Sequence, residues 1–146
     1  MAYRFTLDDV AFLRSAAGAE ALAAAAELVL DGASLIGDLT RLRAIAGEHA
    51  AAVAETVVLR RRVRQRWGST DADEWLLTDE ALQQASPAPV AVHRARRLLG
   101  LASGLGSDAV HDVTCSIGTE VAALARLAAV TQAGVLAVGS DIDPVR

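Results

Sequence analysis

The chain has a single cysteine, Cys115, no lysine and no asparagine, and aromatic residues make up only 3% of it. One cysteine excludes an internal disulfide framework and a cysteine-based zinc site, and no metal is expected. With so few rings, and with alanine dominating segments such as Ala16–Ala26, a core must come from closely approaching helices. All 14 basic residues are arginine; a GC-rich coding bias accounts for that choice without phosphate chemistry. The formal net charge of −4 argues against a generic nucleic-acid coat. No apolar run approaches the roughly 18 residues of a membrane span. The start, Met1-Ala2-Tyr3-Arg4-Phe5 with Asp8 and Asp9 close behind, lacks the apolar region of a signal peptide. The expectation is a cytoplasmic protein with no membrane partner. At 146 residues and 53% hydrophobic, it is long enough to bury one proper core.

Residues 1–104 read as a helical domain. Thr6-Leu7-Asp8-Asp9 is an N-cap with acids in the first turn, leading into Val10, Phe12 and Leu13. Gly18 interrupts, and Ala19–Leu30 resumes with strong helix formers. Asp31-Gly32 closes that segment and Ser34 opens the next, where Leu35, Leu39, Leu42 and Ile45 recur at helical spacing. Gly47 divides it from a longer helix over Glu48–Arg66, with Val53, Val57 and Val63 on one face. Gly68–Asp73 is a turn-rich linker, Thr78-Asp79-Glu80 begins a short helix, and Pro87-Ala88-Pro89 precedes a helix over Val90–Leu99. The glycines between Gly100 and Ser107 signal a boundary.

Residues 105–146 change character. Val110 and Val113 bracket a short strand, and Thr119–Val130 is a helix with Val121, Leu124, Ala125 and Ala128 on one side. Val135–Val138 reads as a strand buried on both faces of a parallel sheet. The unit is β-α-β, with a turn rich in small residues after the first strand. Asp141 lies at the end of the second strand, the arrangement in which doubly wound domains open a nucleotide-type cofactor site. A dinucleotide fingerprint needs three glycines where only Gly118 is present, and a phosphate-cradling loop needs a lysine the chain lacks, which disfavours a nicotinamide-dependent oxidoreductase. The sequence ends at Arg146, two residues past Pro144, so the expectation is a truncated sheet. Its unpaired edge would favour self-association.

Asp112-x-x-Cys115-x-x-Gly118-Thr119, followed by Gly139-Ser140-Asp141-Ile142-Asp143-Pro144, resembles motifs I and II of class I S-adenosylmethionine (SAM) methyltransferases. It is most similar to the trimethylguanosine-synthase-like group and to bacterial relatives carrying a THUMP-like domain. Trp75–Glu80 resembles the aromatic-x-x-Thr segment those enzymes place before their first strand, and Leu82–Ser86 and His93–Arg96 also follow their pattern. The resemblance covers about residues 58–146 and only the N-terminal portion of such an enzyme. With the helical periodicity before Gly100, the expectation is a mainly α chain: an N-terminal helical domain followed by a truncated Rossmann-like β-α-β unit of a class I methyltransferase. The resemblance also implies SAM as cofactor and an RNA or other nucleic-acid-type substrate. Asp112 would orient the methionine amine, and Gly118 would allow close approach of the cofactor. Asp141 would accept from the ribose hydroxyls, Ile142 would pack on adenine, and Thr78 would close over the methionine end. Ser116 stands where the family usually has glycine. The family's catalytic motif lies beyond its fourth strand and is absent here, so no catalytic residue is assigned and the fragment is expected to be inactive alone.

Other features have two readings each. Arg60, Arg61, Arg62, Arg64 and Arg66 form either a stripe that tracks RNA phosphates, with Arg94, Arg96 and Arg97 as a second patch, or a cationic helix end suited to its dipole, offset by Asp71, Asp73 and Glu74. His111 beside Asp112 reads as structural, and Cys115 at a helix start reads as packing rather than a nucleophile. Trp67 and Trp75 anchor the linker or stack a base. The rival to a methyltransferase is a non-enzymatic helical interaction module.

Overall fold

The computed structural model describes residues 3–67, 75–143 and 145. The linker Gly68–Asp73, Glu74 and the Trp67 side chain lie outside what it describes. The chain divides into two compact units, Met1–Leu82 and Gln83–Pro144.

Every regular element among the described residues of the first unit is a helix. Helix α1 (Leu7–Leu13) starts at Thr6, whose hydroxyl accepts from the Asp9 amide at 3.1 Å while the Asp9 carboxylate accepts from the Thr6 amide at 2.9 Å. This reciprocal cap satisfies two helix-end donors, the kind of cap whose loss costs about 1 kcal/mol. Helix α2 (Ala16–Ala26) is capped by the Ser15 hydroxyl. Gly18 lies inside this helix rather than interrupting it, because a Cβ there would meet the Phe12 carbonyl oxygen at 2.1 Å. Helix α3 (Leu35–Ala46) ends at Gly47 with φ +57, and a single 3₁₀ turn, Gly47–His49, leads into α4 (Ala50–Trp67). The expected helix from Glu48 therefore starts two residues later. Leu42 of α3 and Val53, Thr56, Leu59 and Val63 of α4 are fully buried, and Thr56 returns its hydroxyl proton to the Ala52 carbonyl at 2.8 Å. The expected apolar face of α3 is corrected. Leu35 and Ile45 are exposed, and the inward positions are Asp38, Leu42 and Ala46. Asp38 is satisfied there by the Leu30 amide at 3.0 Å.

The unit boundary falls within helix α5 (Asp79–Gln84), which begins where the Thr78 hydroxyl accepts from the Ala81 amide. In the second unit, α6 (Ala88–Leu105) runs through Gly100 and Gly104 instead of ending at Leu99. Each internal glycine costs only about 1 kcal/mol, and α6 packs along α7 (Thr119–Thr131). Gly106, at φ +64, stops it, with the Ser107 amide returning to the Ala102 carbonyl at 2.8 Å. Strands β1 (Ala109–Asp112) and β2 (Leu136–Gly139) pair in parallel, Ala109 opposite Leu136 and Asp112 opposite Gly139. Val113 is not in β1, because the Asp112 carboxylate accepts from the Thr114 amide and turns the chain. Nor is β2 buried on both faces: Leu136 is 63% and Val138 37% exposed, since β2 has only β1 beside it among the described residues. Ala125 is exposed, leaving Thr119, Leu124 and Ala128 as the inward face of α7. The architecture is thus mainly α with one small parallel sheet. No helix among the described residues is long and apolar enough to cross a membrane.

Candidate functional site

The site grows from the carboxyl ends of β1 and β2. The Ser140 amide donates to the Asp112 carbonyl at 2.9 Å, and the Cys115 amide donates to the Ser140 carbonyl at 3.1 Å. The turn after one strand is therefore stitched to the end of the other. Two carboxylates fix the rest of it. Asp112 Oδ1 accepts from the Thr114 amide at 3.0 Å. Asp141 Oδ2 accepts from the Ser116 amide at 3.0 Å, and its Oδ1 accepts from the Asp143 amide at 2.9 Å.

This turn contains two left-handed residues, Ser116 at φ +49 and Gly118 at φ +74. Left-handed backbone costs a residue with a Cβ about 1–2 kcal/mol, and the hydrogen bond to Asp141 helps hold Ser116 there. The Ser116 hydroxyl oxygen is buried with no hydrogen-bond partner among the described residues. Gly118 precedes the first turn of α7, and a Cβ on it would meet nothing within 4 Å. Its glycine is thus set by conformation, and its face is open to an approaching group.

Beside the turn lies a cavity of about 460 Å³ within the second unit, lined among others by Ser86, Arg94, Asp112, Ser116, Glu120 and Val138. Arg94 donates to Glu120 at 2.7 Å and to the Ser86 hydroxyl at 3.1 Å. Burial opposes the Glu120 charge, but hydrogen bonds from Ser86, Thr119 and Arg94 outweigh it and hold its carboxyl below the usual range. Glu120 has no assigned role in the sequence; its place in the first turn of α7 suits the helix dipole, but its partner 26 positions away leaves no trace in local pattern. Burial pushes the Cys115 thiol up, and the Asp112 and Asp141 charges add to the effect, which suppresses the thiolate. Its sulfur packs where a Cβ on Gly139 would come within 2.9 Å. His111 meets the Ser140 hydroxyl through Nε2 at 2.9 Å.

Asp112, Gly118, Asp141 and Ile142 are brought together at these strand ends, with Ile142 99% exposed. Thr78 belongs to the first unit, where its hydroxyl caps α5. The arginine stripe is engaged within that unit. Arg61 donates to the carbonyls of Ala26, Leu28 and Val29, which close the end of α2. Arg60 donates to the Trp75 carbonyl, Arg66 to the Leu82 carbonyl, and Arg62 pairs with Asp79. Arg60, Arg61 and Arg64 also edge a second cavity of about 450 Å³ floored by Leu13, Leu22 and neighbouring alanines.

Comparison with known proteins gives two results. Residues 6–63 match a family described as a domain of unknown function (DUF8688). Two curated relatives from Mycobacterium tuberculosis, strains CDC 1551 / Oshkosh and ATCC 25618 / H37Rv, are each 53% identical over 109 residues, and each is named an uncharacterized S-adenosylmethionine-dependent methyltransferase. The match covers 72% of this chain but 27% of each relative, so the chain spans well under half of their length. No solved structure matches.

Proposed function

We propose that the chain is the N-terminal portion of a SAM-dependent methyltransferase, and that its second unit forms the opening of a Rossmann-like cofactor site. The observation that carries this is the pair of carboxylates, Asp112 and Asp141, at the ends of adjacent parallel strands, with a left-handed turn between them leading into α7. That is where open α/β sheets take their ligands. The names of the two relatives supply the cofactor class.

The residues fit such a group. Among the described residues Asp112 holds the turn through Oδ1, and Oδ2 would face the ammonium. A carboxylate can accept at about four sites, so holding two amides does not prevent Asp141 from accepting from ribose hydroxyls. Ile142 offers an exposed apolar face to adenine, and Gly118 an open backbone. When bound, SAM supplies an electrophilic methyl group on a sulfonium; the residues described here bind and orient it. Ser116 tells against tight binding, because its side chain occupies a turn position where glycine would be unstrained.

Chemistry on the methyl acceptor is assigned to the remaining length of the whole protein. An RNA-type acceptor, and the trimethylguanosine-synthase-like grouping, rest on the motif resemblance. The arginine stripe adds little to that reading, since Arg60, Arg61 and Arg66 donate to the protein's own carbonyls and Arg62 pairs with Asp79. The outer edges of β1 and β2 have no strand beside them among the described residues and suit pairing with further strands or a second copy. A role for the first unit as an interaction module is favoured by its own enclosed core. Calorimetric titration of S-adenosylhomocysteine into a protein of the relatives' full length tests the cofactor reading. Binding that Asp141→Ala removes is the expected result; no heat with intact protein would overturn it.

A further inference from the structure

We propose that Asp8, Glu48 and His49, in the first unit, form a binding site for a divalent transition-metal ion of the zinc class, with buried Asp9 as the carboxylate that orients His49. The first turn of α1 supplies two adjacent acids that point differently. Asp9 turns inward, 4% exposed, into the helix cap, while Asp8 stays in solvent. The 3₁₀ turn Gly47–His49 brings Glu48 and His49 beside them, His49 lying forty positions from Asp9. One ligand atom from each of Asp8, Glu48 and His49 lies within 4.8 Å of the others.

The imidazole is what makes this more than two surface acids. Its Nδ1 is 3.0 Å from Asp9 Oδ1. Asp9 also takes the Thr6 amide, the Thr6 hydroxyl and the Tyr3 hydroxyl on its other oxygen, so it is held in place by the helix cap. With Nδ1 against Asp9, the other ring nitrogen, Nε2, lies on the side where Asp8 Oδ2 is 3.7 Å away. Phe12 stacks on the ring at 4.4 Å and 15° and fixes its plane. A carboxylate that holds one nitrogen of a histidine while the other faces a metal is the usual outer-sphere arrangement of zinc sites.

The dimensions agree. A tetrahedral ion with ligands at about 2.0–2.1 Å sets them roughly 3.3 Å apart. The 3.7 Å separation is within a few tenths of that value, and the exposed Glu48 chain can swing inward. One imidazole and two carboxylates select zinc, cobalt or manganese over calcium and magnesium, which prefer all-oxygen shells. Three protein ligands leave a fourth position for water or an anionic group.

The test uses the whole chain, stripped with chelator and titrated calorimetrically with Zn²⁺ and, separately, Co²⁺ and Mg²⁺. One zinc or cobalt ion per chain and no response to magnesium are expected. The double variant Asp8→Asn/Glu48→Gln changes two exposed side chains and should keep its circular-dichroism spectrum while losing at least tenfold in affinity. His49→Ala should abolish binding. The Phe12 contact could make that variant unfold, and the double variant decides the matter in that case. No zinc binding, or zinc binding unchanged in the double variant, would overturn the proposal by showing that the cluster is an imidazolium held by carboxylates or that the ion sits elsewhere. Because metal binding is read without cofactor, its outcome is independent of the methyltransferase reading.

Discussion

The two units of this chain use alanine-rich helices to different ends. In Met1–Leu82, the largest fully buried side chains among the described residues (Leu42, Val53, Thr56, Leu59 and Val63) lie on α3 and α4. In Gln83–Pro144 the buried positions are Ala85, Ala91, Ala95, Ala102, Thr119, Leu124 and Ala128, while Leu101, Leu105, Val130, Leu136 and Ile142 are exposed. Each unit also holds non-glycine residues in left-handed backbone, Leu30 in the first and Ser116 and Gln132 in the second. Leu30, at φ +58, is braced by Asp38 through its amide, and its neighbours' carbonyls are braced by Arg61. Ser116, at φ +49, is braced by Asp141 through its amide, and its hydroxyl has no partner among the described residues. In the first unit polar side chains close the fold; in the second they gather at strand ends where a ligand can reach them.

The largest effects should fall in the first unit. Leu59→Ala should cost about 2–5 kcal/mol by urea unfolding, against about 0.5 kcal/mol or less for exposed Leu136→Ala; equal costs would break the contrast. Arg61→Ala, which strips three carbonyls of their donor, should cost about 1–2 kcal/mol, while Arg62→Ala should stay within about 1 kcal/mol as a surface pair. If neither changes stability, the stripe does not close the end of α2. In the second unit, Ser116→Gly should raise stability by up to about 1 kcal/mol, and Gly118→Ala should lower it by about the same amount, both through left-handed strain. The smallest effect joins the units. Asp38 is held below the usual carboxylate range, first by the Leu30 amide and then by Ser34, and Glu120 is lowered despite its burial. A carboxyl with a lowered folded pKa contributes stability above its unfolded value, and that stability is lost as pH falls through the folded value. Stability should therefore drop below about pH 4, less steeply in Asp38→Asn and in Glu120→Gln.

Local chemistry was legible in the sequence where one residue acts on its near neighbours. The cap at Thr6, the helix expected over Ala19–Leu30 as far as Ala26, where it ends, the buried face of Val53, Val57 and Val63, and the β-α-β order all follow from short-range pattern. Reading failed where the decisive partner is distant. Gly18 looked like a break because its reason is the Phe12 carbonyl of another helix. Gly100 looked like a boundary because α6 is sustained by α7 rather than by its own propensity. The apolar run at Val135–Val138 showed its composition but not how much of it would be covered. At the site, Asp112, Gly118, Asp141 and Ile142 announce themselves by position after strands. The Arg94–Glu120 pair and the Asp9–His49 contact depend on separations no periodicity encodes.

Hydrogen–deuterium exchange on a protein of the relatives' full length, with and without S-adenosylhomocysteine, tests the central claim most directly. Cofactor should slow exchange in peptides spanning 112–120 and 136–143 and leave the α3–α4 core unchanged. Protection absent from both strand ends, or confined to residues 1–82, would contradict the assignment of the second unit as the cofactor site.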